Sequence, residues 1–395
     1  MLSKTRRTHL QSTMNVPRLP VLTAVALAVA CDVLFVPASR AESMPPQSVR
    51  EAVAICCELA HATGSDGQSQ YAAKTDSISS LPAAWIVPCL SAFVSATPAG
   101  ANWLASGLDR AVDRLGDASP VNALAVFVGD ATHAPRARSL AFGWIKARDG
   151  ARAAALLDSM LDDPALDLRR EAVEKLLVSV AQANETTQRD AYRRGLASAR
   201  DVDQIEPIVE WLSEHGERMD VATVLGFVRN WRVSEAFDNA KGVGFAKAYL
   251  PETKEGGAAN TTGWKAIESA DKHGGIDLNA AVEVKKGILA YAVATVQMPH
   301  AGPAEVRIGS PCAVAVWVNG TPVMGHEIYH ASEAIDQYVA TADFHNGANT
   351  VMVKCCQNEQ TEPWAVDWKF QLRICDALGK PLATQRKNAG GSDAE

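Results

Sequence analysis

Between Ser48 and Phe227 the apolar residues of this chain fall three or four positions apart, the spacing that lines one face of an α-helix. Val173, Leu176, Leu177 and Val180 form one such stripe, and Leu104, Leu108, Val112 and Leu115 another; Leu140, Ala141 and Trp144 repeat the pattern. Short breakers separate the segments: GDASP before Val121, GDATHAP before Arg136, Asp149-Gly150, and LDDPALD over 161–167. Helices joined by turns this short stack as antiparallel hairpins. The stretch from Gly64 to Ser80 is polar and poor in apolar residues, which predicts a loop or an irregular insertion.

Past Trp231 the period changes. ILAYAVATVQM, AEVRIGS, AVAVWVNGTPV, NTVMVKCC and WKFQLRI are short runs rich in β-branched or aromatic residues, bounded by Gly, Asn or Pro, and they predict strands. Asn319-Gly320 between apolar runs is the signature of a type I′ hairpin. Val314, Val316 and Val318 then point to one face of the sheet, and Ala315 and Trp317 to the other. The predicted fold is α then β: a divergent α-solenoid followed by an antiparallel β-sandwich. The expected boundaries are a signal peptide over 1–41, a helical domain over 42–228, a sandwich over 229–382 and a disordered tail over 383–395.

Particular stretches carry a resemblance to known families. LDDPALDLRREAVEKLL resembles a HEAT-type repeat, with Asp-Asp-Pro turning the corner into the second helix. WRVSEAFDNAKGVGF, VRIGS followed by AVAVWVNGTPV, and GANTVMVKCCQNE followed by WKFQLRI resemble, in order, the motifs of a galactose-binding-like jelly roll. This is the sugar-binding type of sandwich found in family 2 glycoside hydrolases. It also occurs attached to HEAT-like helices in exported bacterial proteins, notably of planctomycete type. Ser234-Glu235-Ala236 stands where that module usually has Gly-Pro before Phe237. The resemblance implies binding or scaffolding more than catalysis.

Charge and the N-terminus set the expected location. Lys4, Arg6, Arg7 and Arg18 precede the apolar run VLTAVALAVA, and small residues follow around Ser39 and Ala41, the pattern of a secretory signal peptide. LAVAC is the weaker alternative, a lipobox with Cys31 acylated. Cleavage removes five positive charges and Asp32 and takes the net charge from −7 to −11. An acidic chain without a basic cluster excludes nucleic acid from the expected partners. No later segment reaches the ~20 apolar residues of a membrane span. The expected location is therefore periplasmic or extracellular. The cysteines left after cleavage are odd in number and include the adjacent pairs Cys56-Cys57 and Cys355-Cys356 in apolar segments, so buried, mostly reduced thiols are expected.

His326-Glu327-Ile328-Tyr329-His330 spells H-E-x-x-H. On a helix, that spacing gives two zinc-binding imidazoles and a general base. Here it follows a predicted hairpin strand, and Glu333, Asp336 and His345 fit no known third-ligand spacing. A zinc hydrolase using His326, Glu327 and His330 is thus the alternative, and the expectation is no catalytic residue, no metal and no cofactor. Neither a G-x-S-x-G elbow nor a glycine-rich phosphate loop is present. The acidic residues Asp336, Glu359, Glu362 and Asp367 form no recognisable glycosidase pair.

CCQNEQTEPW places a polar run directly after a buried-looking strand, and sandwich topology puts it beside the 325–338 segment. Aromatic faces stack on sugar C–H surfaces, and amides and carboxylates bond hydroxyls. Tyr329, Asp336, Gln337, Gln360 and Trp364 are the expected ligand-binding residues, and Trp317 and Trp368 the expected core. The expected partners are a carbohydrate or glycoprotein on the sandwich and a protein on the helical repeats; the alternative is a structural interaction protein without a ligand.

Overall fold

A computed structural model of the chain describes residues 45–64, 67–253 and 261–385. The expected signal peptide, Cys31 included, lies outside the described residues, as does the expected tail from 386 onward. Among the described residues the first half is helical: α1 (Val49–Ala60), α2 (Gln68–Ile78), α3 (Ala83–Leu90), α4 (Pro98–Leu115), α5 (Val121–Gly129), α6 (Pro135–Arg148), α7 (Gly150–Leu156), α8 (Leu166–Ser179), α9 (Glu185–Ser198), α10 (Val202–Glu214) and α11 (Val221–Leu225). None of them is long and apolar enough to cross a membrane.

Local chemistry fixes where these helices start and meet. Thr97 caps α4, its Oγ1 accepting from Gly100 N at 2.9 Å, and Pro98 takes the first helical position, where no intrahelical N–H bond is lost. Gly100 sits so close to α1 that a Cβ there would fall 2.1 Å from Ala60 O. The α4 stripe buries Leu104, Leu108, Ala111 and Val112. Helix α8 buries its first turns, at Leu168, Ala172 and Val173; Leu176 and Leu177 are half-buried and Val180 lies past its end. The segment expected as a loop at 64–80 is largely helix α2. Its Thr75, Ser77 and Ile78 are buried, and a Cβ on Gly107 of α4 would lie 2.5 Å from Ile78 Cδ1. Tertiary packing thus makes a helix of a stretch with little apolar pattern of its own.

The second half contains β1 (Asn230–Val233), β2 (Phe237–Asp238), β3 (Lys265–Glu268), β4 (Ile276–Asp277), the short α12 (Leu278–Ala281), β5 (Ile288–Met298), β6 (Gly302–Gly309), β7 (Ala313–Val318), β8 (Thr321–His326), β9 (Tyr338–Phe344), β10 (Gly347–Cys356) and β11 (Lys369–Cys375). They form antiparallel sheets, one in the order β3-β1-β5-β10-β7-β8 with β2 also on β5, the other β4-β11-β6-β9. Val314, Val316, Val318, Val351 and Val353 of the first sheet share a core with Val306, Ile308, Phe370, Leu372 and Ile374 of the second. The predicted hairpin is β7–β8: Asn319 and Gly320 have φ of 50° and 78°, the positive values a type I′ turn requires, and Val318 pairs with Thr321. Trp368 is wholly buried in the sandwich core, and Trp317 packs on the opposite face of its sheet.

Strand β5 is buried on both sides. Ala290, Ala292 and Ala294 face the sandwich core, while Leu289, Tyr291 and Val293 lie on the outer face with Phe237, Phe245 and Tyr249. This double burial explains why ILAYAVATVQM lacks a polar alternation. Lys354 on β10 is fully buried on the same outer face. Its Nζ donates to Phe245 O and Lys247 O at 2.9 Å and to Glu252 at 2.8 Å, which uses every N–H and clamps the covering segment.

The C-terminal run stays paired beyond the last strand. Leu382 N donates to Ile374 O, Thr384 bridges Gln297, and Gln385 Oε1 accepts from Arg229 N and Asn230 N. Residues 383–385, expected in the tail, therefore edge the sandwich. Among the described residues all seven cysteines are free thiols, and all but Cys57 are buried. Burial pushes Cys356 up to about 12 and Cys375 up to about 11, which leaves both as inert thiols at neutral pH.

Candidate functional site

The loop between β8 and β9 and the loop between β10 and β11 both pass from the first sheet to the second. Cross-bonds join them at one end of the sandwich. Asn358 Oδ1 accepts from His330 Nε2 at 2.7 Å and from Gln360 N at 3.1 Å, and Asn358 Nδ2 donates to Gln360 Oε1 at 3.0 Å. His330 has φ of 58°, so its backbone turns sharply there and presents the imidazole to the neighbouring loop. The same imidazole stands edge-on to Trp364, with ring centroids 5.1 Å apart and planes at 90°. The indole is 63% exposed, on a short 3₁₀ turn at Pro363–Ala365.

A third segment, after β2, forms the floor. Asn239 is wholly buried; its Nδ2 donates to Gln357 O at 2.9 Å and to Tyr329 Oη at 3.2 Å. Gly244 packs over this amide, since a Cβ there would lie 2.7 Å from Asn239 Oδ1. The Lys241 backbone N–H donates to the Glu359 carboxylate, and Gly242 passes beside Tyr329 Oη and Glu327. Burial pushes the Tyr329 hydroxyl above its ordinary value, and the bond from Asn239 only partly offsets it. Tyr329 is a fixed, neutral, half-buried ring in this setting.

Trp364, Gln360 and Tyr329 of the expected ligand-binding residues therefore come together, joined by His330, Asn358 and Glu359. Asp336 and Gln337 do not belong to this group. Gln337 Oε1 accepts from Ser310 N at 3.0 Å, and Asp336 is held by Arg307 and Arg373. Asn239 is not among the residues expected in the site; it lies within WRVSEAFDNAKGVGF, the stretch that resembles the opening of a galactose-binding-like module.

The H-E-x-x-H stretch does not form the helix that a zinc site of that type needs. His326 ends strand β8 and stacks on Tyr338, with centroids 4.0 Å apart, whereas His330 lies in the loop beside Asn358. The two rings are held by different partners, Tyr338 and Asn358, and no helical turn joins them to set both on one face. Among the described residues no three His, Cys, Asp or Glu side chains gather as a metal-holding group.

A separate cavity of about 400 Å³ opens beside Glu235, Phe237, Leu250, Pro251 and Trp264 and contains none of the expected ligand residues. The Trp364 group is open rather than enclosed: an exposed indole against the His330 imidazole, which is tied in turn to the Asn358 and Gln360 amides. That chemistry suits a hydroxylated ligand with an apolar face. The chain matches no protein-family model and no curated protein.

Proposed function

We propose that this is an exported, non-catalytic binding protein whose sandwich recognises carbohydrate at the Trp364 group. The observation that carries the reading is the 63% exposed indole of Trp364, steadied edge-on by His330, whose imidazole bonds Asn358 and through it Gln360. A sugar ring would lie on the indole, with its hydroxyls bonding to the Gln360 amide and the Glu359 carboxylate. The resemblance of the strand motifs to galactose-binding-like jelly rolls supports the same reading, and the resemblance of LDDPALDLRREAVEKLL supports a HEAT-like helical half offering a face to a protein partner. Val94, Val126 and Val178, each at least 69% exposed on that half, are apolar side chains available to such a partner.

The competing reading is a structural protein without a ligand, and it draws on Asp336 and Gln337 being engaged internally. A glycan array probed with the purified chain separates the two. The expected result is binding to a restricted set of glycans, lost in Trp364→Ala, while stability stays within about 0.5 kcal/mol of the parent. Binding to no glycan, or undiminished binding by the variant, would favour the structural reading.

A further inference from the structure

Where the sandwich loop carrying Asp336 meets the helical half, the arginines outnumber their acids. Asp336 accepts from Arg307 Nη1 at 2.8 Å, from Arg373 Nε at 2.7 Å and from Arg373 Nη2. Arg307 also bonds Glu305, and Arg373 Nη1 reaches Leu225 O. Arg200 faces the same cavity from the turn between α9 and α10. Its Nη1 donates to the carbonyls of Ala197, Ser198 and Ala199, its Nε is buried without an acceptor, and among the described residues it has no ion pair. Burial and the neighbouring Arg169 both pull its pKa down, and Asp376 and Asp162 oppose them only from beyond ion-pair distance. Asp201 also lines the cavity, with its carboxylate tied to Arg170 at 3.0 Å.

We propose that this cavity, about 200 Å³ in volume, binds the phosphate or sulfate head of a small organic anion between Arg200, Arg307 and Arg373. The first residues of α8 and α10, Leu166 and Val202, line it as well. Arg200 and Arg373 are shared with an adjoining cavity of about 270 Å³, walled by Leu196, Ile205, Val224, Leu225 and Pro381. A short apolar substituent on the anion would occupy that second space, so the site selects an ester over the free ion.

The test uses calorimetric titration of the full chain with inorganic phosphate, inorganic sulfate and butyl phosphate at constant ionic strength. Saturable binding is expected in the millimolar range or tighter, with butyl phosphate several-fold tighter than phosphate. Arg200→Gln should weaken each by about tenfold or more, the loss of one charge-assisted contact. Asp201→Asn should tighten each several-fold, a gain that a poorly folded variant would not produce. Arg136→Gln, on the exposed surface of α6, should change nothing. Absence of saturable binding by every probe would overturn the proposal, as would Arg200→Gln binding like the parent. Equal affinity for phosphate and butyl phosphate would overturn the assignment of the apolar space.

Discussion

Arg138 with Asp163 in the helical half, and Arg307 and Arg373 with Asp336 at the junction, put one kind of ion pair to different uses. In the first, one guanidinium meets one carboxylate face to face. Arg138 Nη1 and Nη2 donate to Asp163 at 2.7 and 2.6 Å, and its Nε and Nη2 also reach Val128 O. Asp163 Oδ1 takes one further bond, from Ala165 N. The side chains are 1% and 5% exposed, and the set is complete. At the junction, Asp336 is shared by Arg307 and Arg373, Glu305 holds Arg307 as well, Arg200 stands beside them without an ion pair, and a cavity adjoins the three arginines. A balanced, closed pair ties helix α6 to the loop before α8 and leaves no capacity for a ligand. An arginine without an ion pair beside open space leaves a desolvation cost that a diffusible anion can offset.

The largest effect that bears on this contrast is expected at Asp163. Asp163→Ala leaves Arg138 buried without a counter-charge and should cost about 3–5 kcal/mol. Urea unfolding of the full chain measures it, and a loss below about 1 kcal/mol would mean that water already reaches the pair. Next is Asp336→Asn, which keeps the shape but removes the shared charge; a loss of about 2 kcal/mol is expected, that of charged hydrogen bonds in a partly open site. Repeating both in millimolar phosphate sharpens the contrast. Phosphate should return part of the stability lost in Asp336→Asn and none of that lost in Asp163→Ala. Equal rescue, or rescue of neither, would erase the distinction between the two centres.

The sequence shows the frame of this molecule more clearly than it shows these centres. Period-2 runs locate β6, β7, β10 and β11, and Asn319-Gly320 specifies its own turn, because strand alternation and positive φ are properties of adjacent residues. The doubly buried β5 is legible for the same reason, through its unbroken apolar run. Helix α2 is not, since Thr75 and Ser77 become buried only when α4 covers them. The site is half legible. Trp364, Gln360 and Tyr329 could be grouped because sandwich topology brings their two loops together, but nothing local separates Asp336 from them. The partners that claim Asp336, Arg307 and Arg373, are 29 and 37 residues away in sequence. Arg200 lies farther still, on a helical turn whose pairing with the sandwich has no sequence signature. The H-E-x-x-H match misleads in the opposite direction: its chemistry depends on a period of 3.6, and the chain there runs as a strand into a loop.

The smallest effect at neutral pH is the pH dependence of the junction itself, and its sign follows from Asp336. Burial alone would raise this carboxyl, but the bonds from Arg373 and Arg307 outweigh burial and hold it below the usual carboxylate range. A group whose folded pKa lies below its unfolded value contributes its full stabilisation above the unfolded pKa, about 3.9 for Asp. That contribution is lost as the pH falls through the folded pKa. The stability gap between the parent and Asp336→Asn should therefore stay constant from pH 7 to about pH 5 and close below about pH 4. Urea unfolding at pH 7, 5 and 3.5 reads the gap directly. A gap already closing between pH 7 and 5 would mean that Asp336 is not held by the arginines, and its contrast with the Arg138–Asp163 pair would then rest on exposure rather than on charge balance.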